Sequence, residues 1–142
     1  MAKKRKPRRR KKKKLWSIKS TYALPDGSLV DMDSTWEVAC AQKLDLLGIK
    51  WIRDPSMKIE YRDKKLKLRN YIPDFYLPDF DIYLEVKGYW TDAARWKMKD
   101  VCQRNPGKIK IVESLEEIEK LNERIISTPG DFVSEKSWKT WY

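Results

Sequence analysis

The fold of this chain is decided by one stretch, which reads YIPDFYLPDFDIYLEVKGYW from Tyr71 to Trp90. Apolar and polar residues alternate in it with a period of two, as in β-strands. The alternation breaks at residues 78–81, because proline cannot donate to a strand ladder and aspartate favours turns. The stretch therefore predicts a two-stranded hairpin with one buried face. The apolar face would hold Phe75, Leu77, Ile82, Leu84 and Val86, and the polar face Asp74, Tyr76, Tyr83, Glu85 and Lys87.

The turn also predicts which residues of the hairpin face each other. A hairpin symmetric about residues 79 and 80 pairs Phe75 with Leu84 and Asp74 with Glu85. Directly opposed residues have Cβ atoms about 5 Å apart, and two like charges at that distance are destabilising unless a cation compensates them. Lys87 points to the same side as Glu85. Two carboxylates and one ammonium group are thus predicted to converge on the polar face.

These residue types suit metal-dependent hydrolysis of a phosphate ester. Mg²⁺ takes hard oxygen ligands, keeps several waters and uses one or two carboxylates. A bound metal makes water more acidic and neutralises charge on the phosphate. Lys87 would orient or activate the attacking water and stabilise the charge of the transition state. The alternative is a surface hairpin with an ordinary Glu–Lys pair, since Glu-x-Lys alone is very common.

The basic charge of the chain is concentrated at its beginning. The 142 residues carry a net charge of +11, residues 1–14 contain eleven Lys or Arg and no acid, and the rest has 21 basic and 21 acidic residues. We expect a disordered polybasic arm at 1–14 and one domain at 15–142, with its core at about 34–126 and a Trp-rich extension at 127–142. Such an arm binds polyanions without reading sequence.

Several classes of protein are excluded or disfavoured by composition. The chain has no His and no Cys pair at metal spacing, which excludes a zinc site and a His-activated nucleophile. Cys40 and Cys102 lie in helical patterns and are expected to be buried thiols in a reducing compartment. No apolar run approaches a membrane span and no signal-peptide core follows the basic start. We therefore expect a cytoplasmic protein without a membrane partner.

The first predicted helix supplies a further candidate for the site. A hairpin turning at 25–27 precedes a helix that opens at Ser34 and stops at Gly48, with Trp36, Cys40, Leu44 and Leu47 as its core stripe. Ser34 and Glu37 have the spacing of a capping box, in which Glu37 binds the Ser34 amide. Glu37 could equally be a third carboxylate that reaches the metal site. Spacing alone leaves both interpretations open.

The remaining segments complete the expected architecture. Strands at 57–61 and 66–69 flank a turn at 63–65, a helix runs from 92 to about 104, a parallel strand covers 109–112, and a helix runs from Ser114 to about Ile126. The basic side chains beside the acidic site and on the outer face of the 92–104 helix would join the arm in contacting phosphates. The predicted DNA-binding residues are Lys3, Lys4, Arg5, Lys6, Arg8, Arg9, Arg10, Lys11, Lys12, Lys13, Lys14, Lys64, Lys65, Lys67, Arg69, Arg95 and Lys99.

These motifs resemble the PD-(D/E)xK nuclease superfamily, with Pro73-Asp74 followed by Glu85-Val86-Lys87. The order of elements is similar to its restriction-endonuclease-like αβββαβ core, a mixed sheet flanked by helices in an α/β (α+β) fold. More narrowly, the Trp-Glu pair at 36–37, YIPDFYLP at 71–78 and EVKGYW at 85–90 resemble the phage endonuclease I family of Holliday-junction-resolving enzymes.

The resemblance implies a catalytic set of Glu37, Asp74, Glu85 and Lys87. Glu37, Asp74 and Glu85 would hold Mg²⁺, with Mn²⁺ able to substitute. It also implies branched DNA as substrate and a homodimer, because resolving a junction takes two cuts. The N-terminal arm and the Trp-rich C-terminus depart from the family pattern. A site-specific, homing or nicking endonuclease on linear duplex remains an alternative, as does a non-catalytic nucleic-acid-binding protein acting through its arm.

The charge distribution predicts how the arm acts on DNA. Deleting residues 1–14 should weaken binding mainly at low salt, because the rest of the chain is formally neutral. Each phosphate neutralised adds about 0.9 to the slope of log affinity against log salt, so the slope should flatten by several units. Binding titrations over a salt series measure this. An unchanged slope would move the binding surface to the basic 58–69 segment.

Overall fold

The computed structural model describes residues 18–130, so the basic arm at 1–14 and residues 131–142 of the Trp-rich extension lie outside it. No helix in this described part is long and apolar enough to cross a membrane. The chain folds as a mixed α+β structure, as predicted. Its elements are β1 (Ser20–Ala23), β2 (Leu29–Met32), α1 (Thr35–Leu46), β3 (Ile59–Arg62), β4 (Leu68–Tyr71), β5 (Phe75–Leu77), β6 (Ile82–Val86), α2 (Asp92–Arg104), β7 (Ile109–Val112), α3 (Leu115–Glu119) and α4 (Glu123–Ser127).

A three-stranded sheet in the order β5-β6-β7 forms the centre of the fold. The β5–β6 hairpin is antiparallel with Phe75 opposite Leu84 and Leu77 opposite Ile82, which confirms the predicted register. Strand β7 runs parallel to β6, as expected if α2 is a crossover. Ile52 makes a single antiparallel bridge to Tyr76 on the other side of β5. The sheet is therefore mixed, and its pairing follows the alternation in the sequence.

Both faces of this sheet are covered, so the prediction of a single buried face was wrong. One face packs on α1, α3 and α4 in a core that includes Phe75, Leu77 and Leu84. The other face lies under α2, where Met98 and Val101 pack near Tyr83. The physical reason is the parallel β6–β7 pair, because its crossover helix must lie against one face of the sheet.

Helix α1 begins and ends where its capping residues predict. The Ser34 hydroxyl accepts a hydrogen bond of 3.1 Å from the Glu37 amide. Gly48 follows the helix with a φ of 70°, a left-handed conformation that costs glycine little. Cys40 and Leu44 are fully buried as expected, and Ala41 joins them. Trp36 and Leu47 are only partly buried at the edge of this core.

Four strands lie between α1 and α2, as the predicted strands at 57–61 and 66–69 and the predicted hairpin indicate, whereas the restriction-endonuclease-like αβββαβ order has three. Strands β3 and β4 form a separate antiparallel hairpin with Ile59 opposite Tyr71, and this hairpin packs on α2. Pro73 stands between β4 and β5 and has no amide to donate, which ends one ladder before the next begins. The mixed α+β class is thus confirmed, while the β3–β4 hairpin forms a two-stranded sheet of its own, as β1 and β2 also do.

The helix predicted from Ser114 to about Ile126 is two short helices, α3 and α4. The Asn122 side chain accepts a 2.9 Å bond from the Ile125 amide and so caps a new helix. Such side-chain bonds compete with continued helical pairing. The restart changes which residues face inward, since Ile118, Leu121 and Ile126 are buried while Leu115 is 45% exposed.

The central strand should dominate stability. Leu84 is fully buried between the helices and the sheet, so Leu84→Ala is expected to lower the free energy of unfolding by about 2–5 kcal/mol. Leu46→Ala is the matched control, because Leu46 is 81% exposed at the end of α1, and its effect should stay within about 0.5 kcal/mol. Urea unfolding followed by circular dichroism measures both. Equal effects would contradict this core.

Candidate active site

Asp74 lies at the centre of the candidate site, immediately before β5. Its Oδ2 accepts a 2.8 Å hydrogen bond from the backbone amide of Val86 on β6. This bond ties the carboxylate to the partner strand at the end of the hairpin. The side chain is 16% exposed. The predicted register places Asp74 opposite Glu85. Asp74 is therefore held in position by β6, the strand that carries Glu85.

Glu37 approaches Asp74 from α1. Its amide is capped by Ser34, but its carboxylate does not close the capping box: Oε2 accepts from the Ser34 hydroxyl at 3.3 Å and Oε1 from Arg53 at 2.9 Å. Glu37 is only 4% exposed. Glu37 therefore takes part in both arrangements. Its backbone amide is capped by Ser34, and its carboxylate lies beside Asp74.

Glu85 approaches Asp74 from the face that α2 covers. The Tyr71 hydroxyl, at the end of β4, donates a hydrogen bond to Glu85 Oε2. Glu85 is 7% exposed and Tyr71 2%. Tyr71 belongs to the β3–β4 sheet. Through its hydrogen bond to Glu85, this sheet helps to shape the site. Sequence reasoning did not assign Tyr71 to the site.

Burial raises the affinity of Asp74 and Glu85 for protons. Burial, the charge of Glu85 and the neighbouring Glu37 together hold the pKa of Asp74 well above its usual range. Burial also raises the pKa of Glu85, and the Tyr71 hydroxyl, Lys87 and Lys97 oppose that rise. The site therefore carries negative charge that favours either a proton or a cation.

Arg53 supplies a positive charge to this cluster, and the sequence interpretation missed it. Its guanidinium binds Glu37 at 2.9 Å and Asp33 at 3.0 Å, and it lies 3.8 Å from Asp74 Oδ1. It also donates to the carbonyl of Asp74 at 3.3 Å. Burial opposes the charged form of Arg53, but Glu37, Asp74 and Asp33 raise its pKa overall. No spacing pattern marks Arg53, because it joins the site only through the bridge at Ile52.

Two lysines lie near Glu85 without a close ion pair to it in the described part of the chain. The Lys87 ammonium is 5.6 Å from the ring centre of Trp90, and the Lys97 ammonium is 5.6 Å from that of Tyr71. Burial and the nearby Lys87 lower the pKa of Lys97. Lys97 was also missed, although Ala94 and Val101 at helical spacing place it beside the buried face of α2.

A cleft of about 160 Å³ opens onto two of the carboxylates. It is lined by Asp33, Ser34, Trp36, Glu37, Asp74, Val86 and Gly88. The donors beside it are hard carboxylate oxygens, which is the ligand type that Mg²⁺ prefers. Within residues 18–130, no group of three or more acidic or cysteine side chains is placed so that it could hold a metal ion without rearrangement. Arg53 lies among the carboxylates instead.

The basic side chains predicted to flank the site lie further off. Lys64, Lys65 and Lys67 belong to the loop at the far end of the β3–β4 hairpin, and they precede Tyr71 by four or more positions. Arg69 is bound to Asp63 at 3.0 Å. On α2, Arg95 was expected to point outward, but its side chain is only 18% exposed and lies 3.5 Å from Asp92. Lys99 is partly buried as well.

Comparisons with protein-family models, curated proteins and solved structures give no match for this chain.

The raised pKa of Asp74 predicts how stability depends on pH. Its folded pKa lies above the ordinary 3.8, so stability should fall as pH rises from that value through the raised one. Asp74→Asn keeps an acceptor for Val86 but carries no charge, and should stabilise the metal-free protein at neutral pH and not at acid pH. Each pKa unit corresponds to about 1.4 kcal/mol.

Urea unfolding in a chelating buffer at acid and neutral pH measures this difference. Asp79→Asn, in the exposed turn of the same hairpin, is the control and should show little change at either pH. A variant at Asp74 that is less stable than wild type at neutral pH would contradict the assignment, because it would mean that the charged carboxylate favours folding.

Proposed function

We propose that this protein is a metal-dependent endonuclease that hydrolyses phosphodiester bonds in DNA. The observation that carries the proposal is the convergence of Glu37, Asp74 and Glu85 at one buried end of the central sheet. A structural surface hairpin would leave these carboxylates in water. Burying like charges together is costly, and it is common where a protein has to bind a cation or perform catalysis.

Asp74, Glu85 and Glu37 would hold the metal, with Mg²⁺ or Mn²⁺ as the fitting ions. When bound, such an ion makes a coordinated water more acidic and neutralises charge on the phosphate. The chain itself supplies orientation. The Val86 amide fixes Asp74, the Tyr71 hydroxyl fixes Glu85, and the cap at Ser34 fixes the start of the helix that carries Glu37.

Lys87 is proposed to act on the phosphate or the attacking water. It follows Glu85 by two positions, directly after the end of β6, where its amide donates to the carbonyl of Val112 at 2.8 Å. At strand spacing its side chain falls on the same side as that of Glu85. Its charge opposes the rise in the Glu85 pKa, which is consistent with their proximity. A compact ammonium can hold a water in line and stabilise the transition-state charge. Arg53 would keep Glu37 and Asp74 in position between turnovers.

The kind of DNA is inferred from the charge and from the sequence resemblance. The arm at 1–14 gives sequence-independent attraction to phosphates. The helix, mixed sheet and crossover helix agree in outline with a restriction-endonuclease-like core, and the residues at 71–78 and 85–90 resemble the endonuclease I family. Branched DNA is therefore the proposed substrate and a homodimer the proposed assembly, since a four-way junction has to be cut twice.

One observation favours a second candidate, a nucleic-acid-binding protein without catalysis. Arg53 already forms ion pairs with Asp33 and Glu37 and lies near Asp74, so part of the negative charge is balanced within the chain. In that case the cluster would stabilise the fold and the arm alone would bind DNA. Cleavage assays separate the two candidates.

The central test is cleavage of a four-way junction, a linear duplex and a single strand with Mg²⁺. Wild type should cut the junction preferentially. Asp74→Asn, Glu85→Gln and Lys87→Ala should each lower the cleavage rate by two orders of magnitude or more while DNA binding persists. A double variant should lose little more than a single one, because parts of one catalytic unit are not additive. Glu119→Gln, an exposed acid on α3, is the matched control.

Retained cleavage in Asp74→Asn would reject the site, and no cleavage of any substrate by wild type would favour the binding protein. Glu37→Gln tests the third carboxylate. The amide can still bind Ser34, so a cap alone predicts unchanged cleavage and a loss of at most about 1 kcal/mol of stability. A role in the site predicts a sharp fall in cleavage with little change in melting temperature.

A further inference from the structure

A second cavity, of about 550 Å³, lies between the β3–β4 hairpin and the start of α2. It is larger than the cleft at the carboxylates and shares no lining residue with it. Its lining residues are Tyr61, Asp63, Lys64, Lys65, Arg69, Asp92, Ala93 and Trp96. Aromatic rings and basic side chains thus meet in one concave site outside the proposed catalytic centre.

The aromatic part of this cavity is already held in place. The indole NH of Trp96 donates a 3.0 Å hydrogen bond to the carbonyl of Arg62 at the end of β3. Tyr61 precedes Arg62 on that strand, and both rings are partly exposed. A ring that is fixed before binding loses little conformational entropy when a partner stacks on it. Flat aromatic ligands are the natural occupants of such a surface.

The charged part of the cavity favours an anion. Arg69 binds Asp63 at 3.0 Å, and Arg95 lies 3.5 Å from Asp92. The two acids of the lining are therefore matched by arginines. Lys64 and Lys65 add two ammonium groups at the exposed loop. An occupant with a flat ring and a nearby phosphate fits this combination, which is the description of a nucleotide.

We propose that this cavity, the Trp96 cavity, receives an unpaired base of the DNA substrate. The base stacks on Trp96 beside Tyr61, and its flanking phosphates lie against Lys64 and Lys65. A base inside a duplex presents no free face, so the cavity selects DNA that has an unstacked nucleotide, as at a branch point, bulge or flap. The inference rests on the proposed DNA substrate but not on cleavage.

The position of the cavity suits the proposed reaction. Tyr61 pairs with Arg69, and two positions further along the hairpin Ile59 pairs with Tyr71, which holds Glu85. Two positions of a strand span about 7 Å. The cavity and the residue that holds Glu85 therefore belong to the same hairpin, β3–β4.

The test is a binding experiment with the full chain in a chelating buffer, so that no cleavage occurs. The probes are duplexes with one extrahelical nucleotide, either 2-aminopurine or an abasic residue. Wild type should bind the base-containing bulge roughly tenfold more tightly than the abasic one, in keeping with the stacking of a base on an aromatic ring. The fluorescence of 2-aminopurine should be quenched in the complex.

Variants assign these effects to the cavity. Trp96→Ala should remove the preference for the base, and Trp96→Phe should keep most of the preference while losing most of the quenching. Lys64→Gln with Lys65→Gln should weaken both DNAs equally. Leu46→Ala, on the exposed side of α1, is the control and should change neither value. Thermal melts show which variants are folded.

Equal binding of the two bulges by wild type would overturn the inference, as would a folded Trp96→Ala that keeps the preference. The comparison of the two bulged duplexes with wild-type protein tests the inference even if Trp96→Ala does not fold. If wild type cleaves DNA but shows no preference for the base, only the proposal that the Trp96 cavity binds a base is rejected. A base preference without cleavage would reject the endonuclease and leave the cavity standing.

Discussion

The structure depends on how negative charge is accommodated at one end of the β5–β6 hairpin. Asp74 is held by the Val86 amide, with Glu37 on one side and Glu85 on the other. Three carboxylates so close in a buried setting repel one another and lose hydration. The surrounding residues are arranged to limit that cost: Arg53 pairs with the cluster, and Tyr71 donates to Glu85.

The covering of both faces of the small sheet keeps this arrangement buried. One layer, with Phe75 and Leu84 at its centre, anchors the strands against α1. The other, with Met98 and Val101, closes α2 over Glu85. A less covered sheet would let water screen the carboxylates and weaken their effect on one another. The fold thus keeps the carboxylates close together and buried, at some cost in stability.

The acidic cluster and the main groups of basic side chains lie in different parts of the chain. The cluster at Asp74 is buried and acidic, the β3–β4 loop is exposed and basic, and the excess positive charge of the whole chain lies in residues 1–14. If the proposed function is right, the arm brings DNA to the surface, the loop and Trp96 recognise an unstacked base, and the carboxylates act on the phosphate. Each step then uses a different physical interaction, namely long-range attraction, stacking and metal coordination.

The sequence by itself determined the local elements. A period of two, with Pro78 at the break, defined the hairpin and its register, and Ser34 and Gly48 defined the ends of α1. These features depend on residues close together in the chain, so short-range patterns are enough to predict them. The prediction that Asp74 and Glu85 lie side by side followed from that register.

Only the tertiary structure decided what covers the hairpin and what balances its charge. Arg53 reaches the cluster from a segment with no local pattern that marks it. The Glu37 carboxylate accepts from the Ser34 hydroxyl, and it also binds Arg53 and lies beside Asp74, which no local pattern predicts. The burial of Ile126, in the helix that restarts at Asn122, likewise depends on packing against distant residues of the core. Burial and ion pairing depend on residues that are distant in sequence. No short segment of the sequence can therefore predict them.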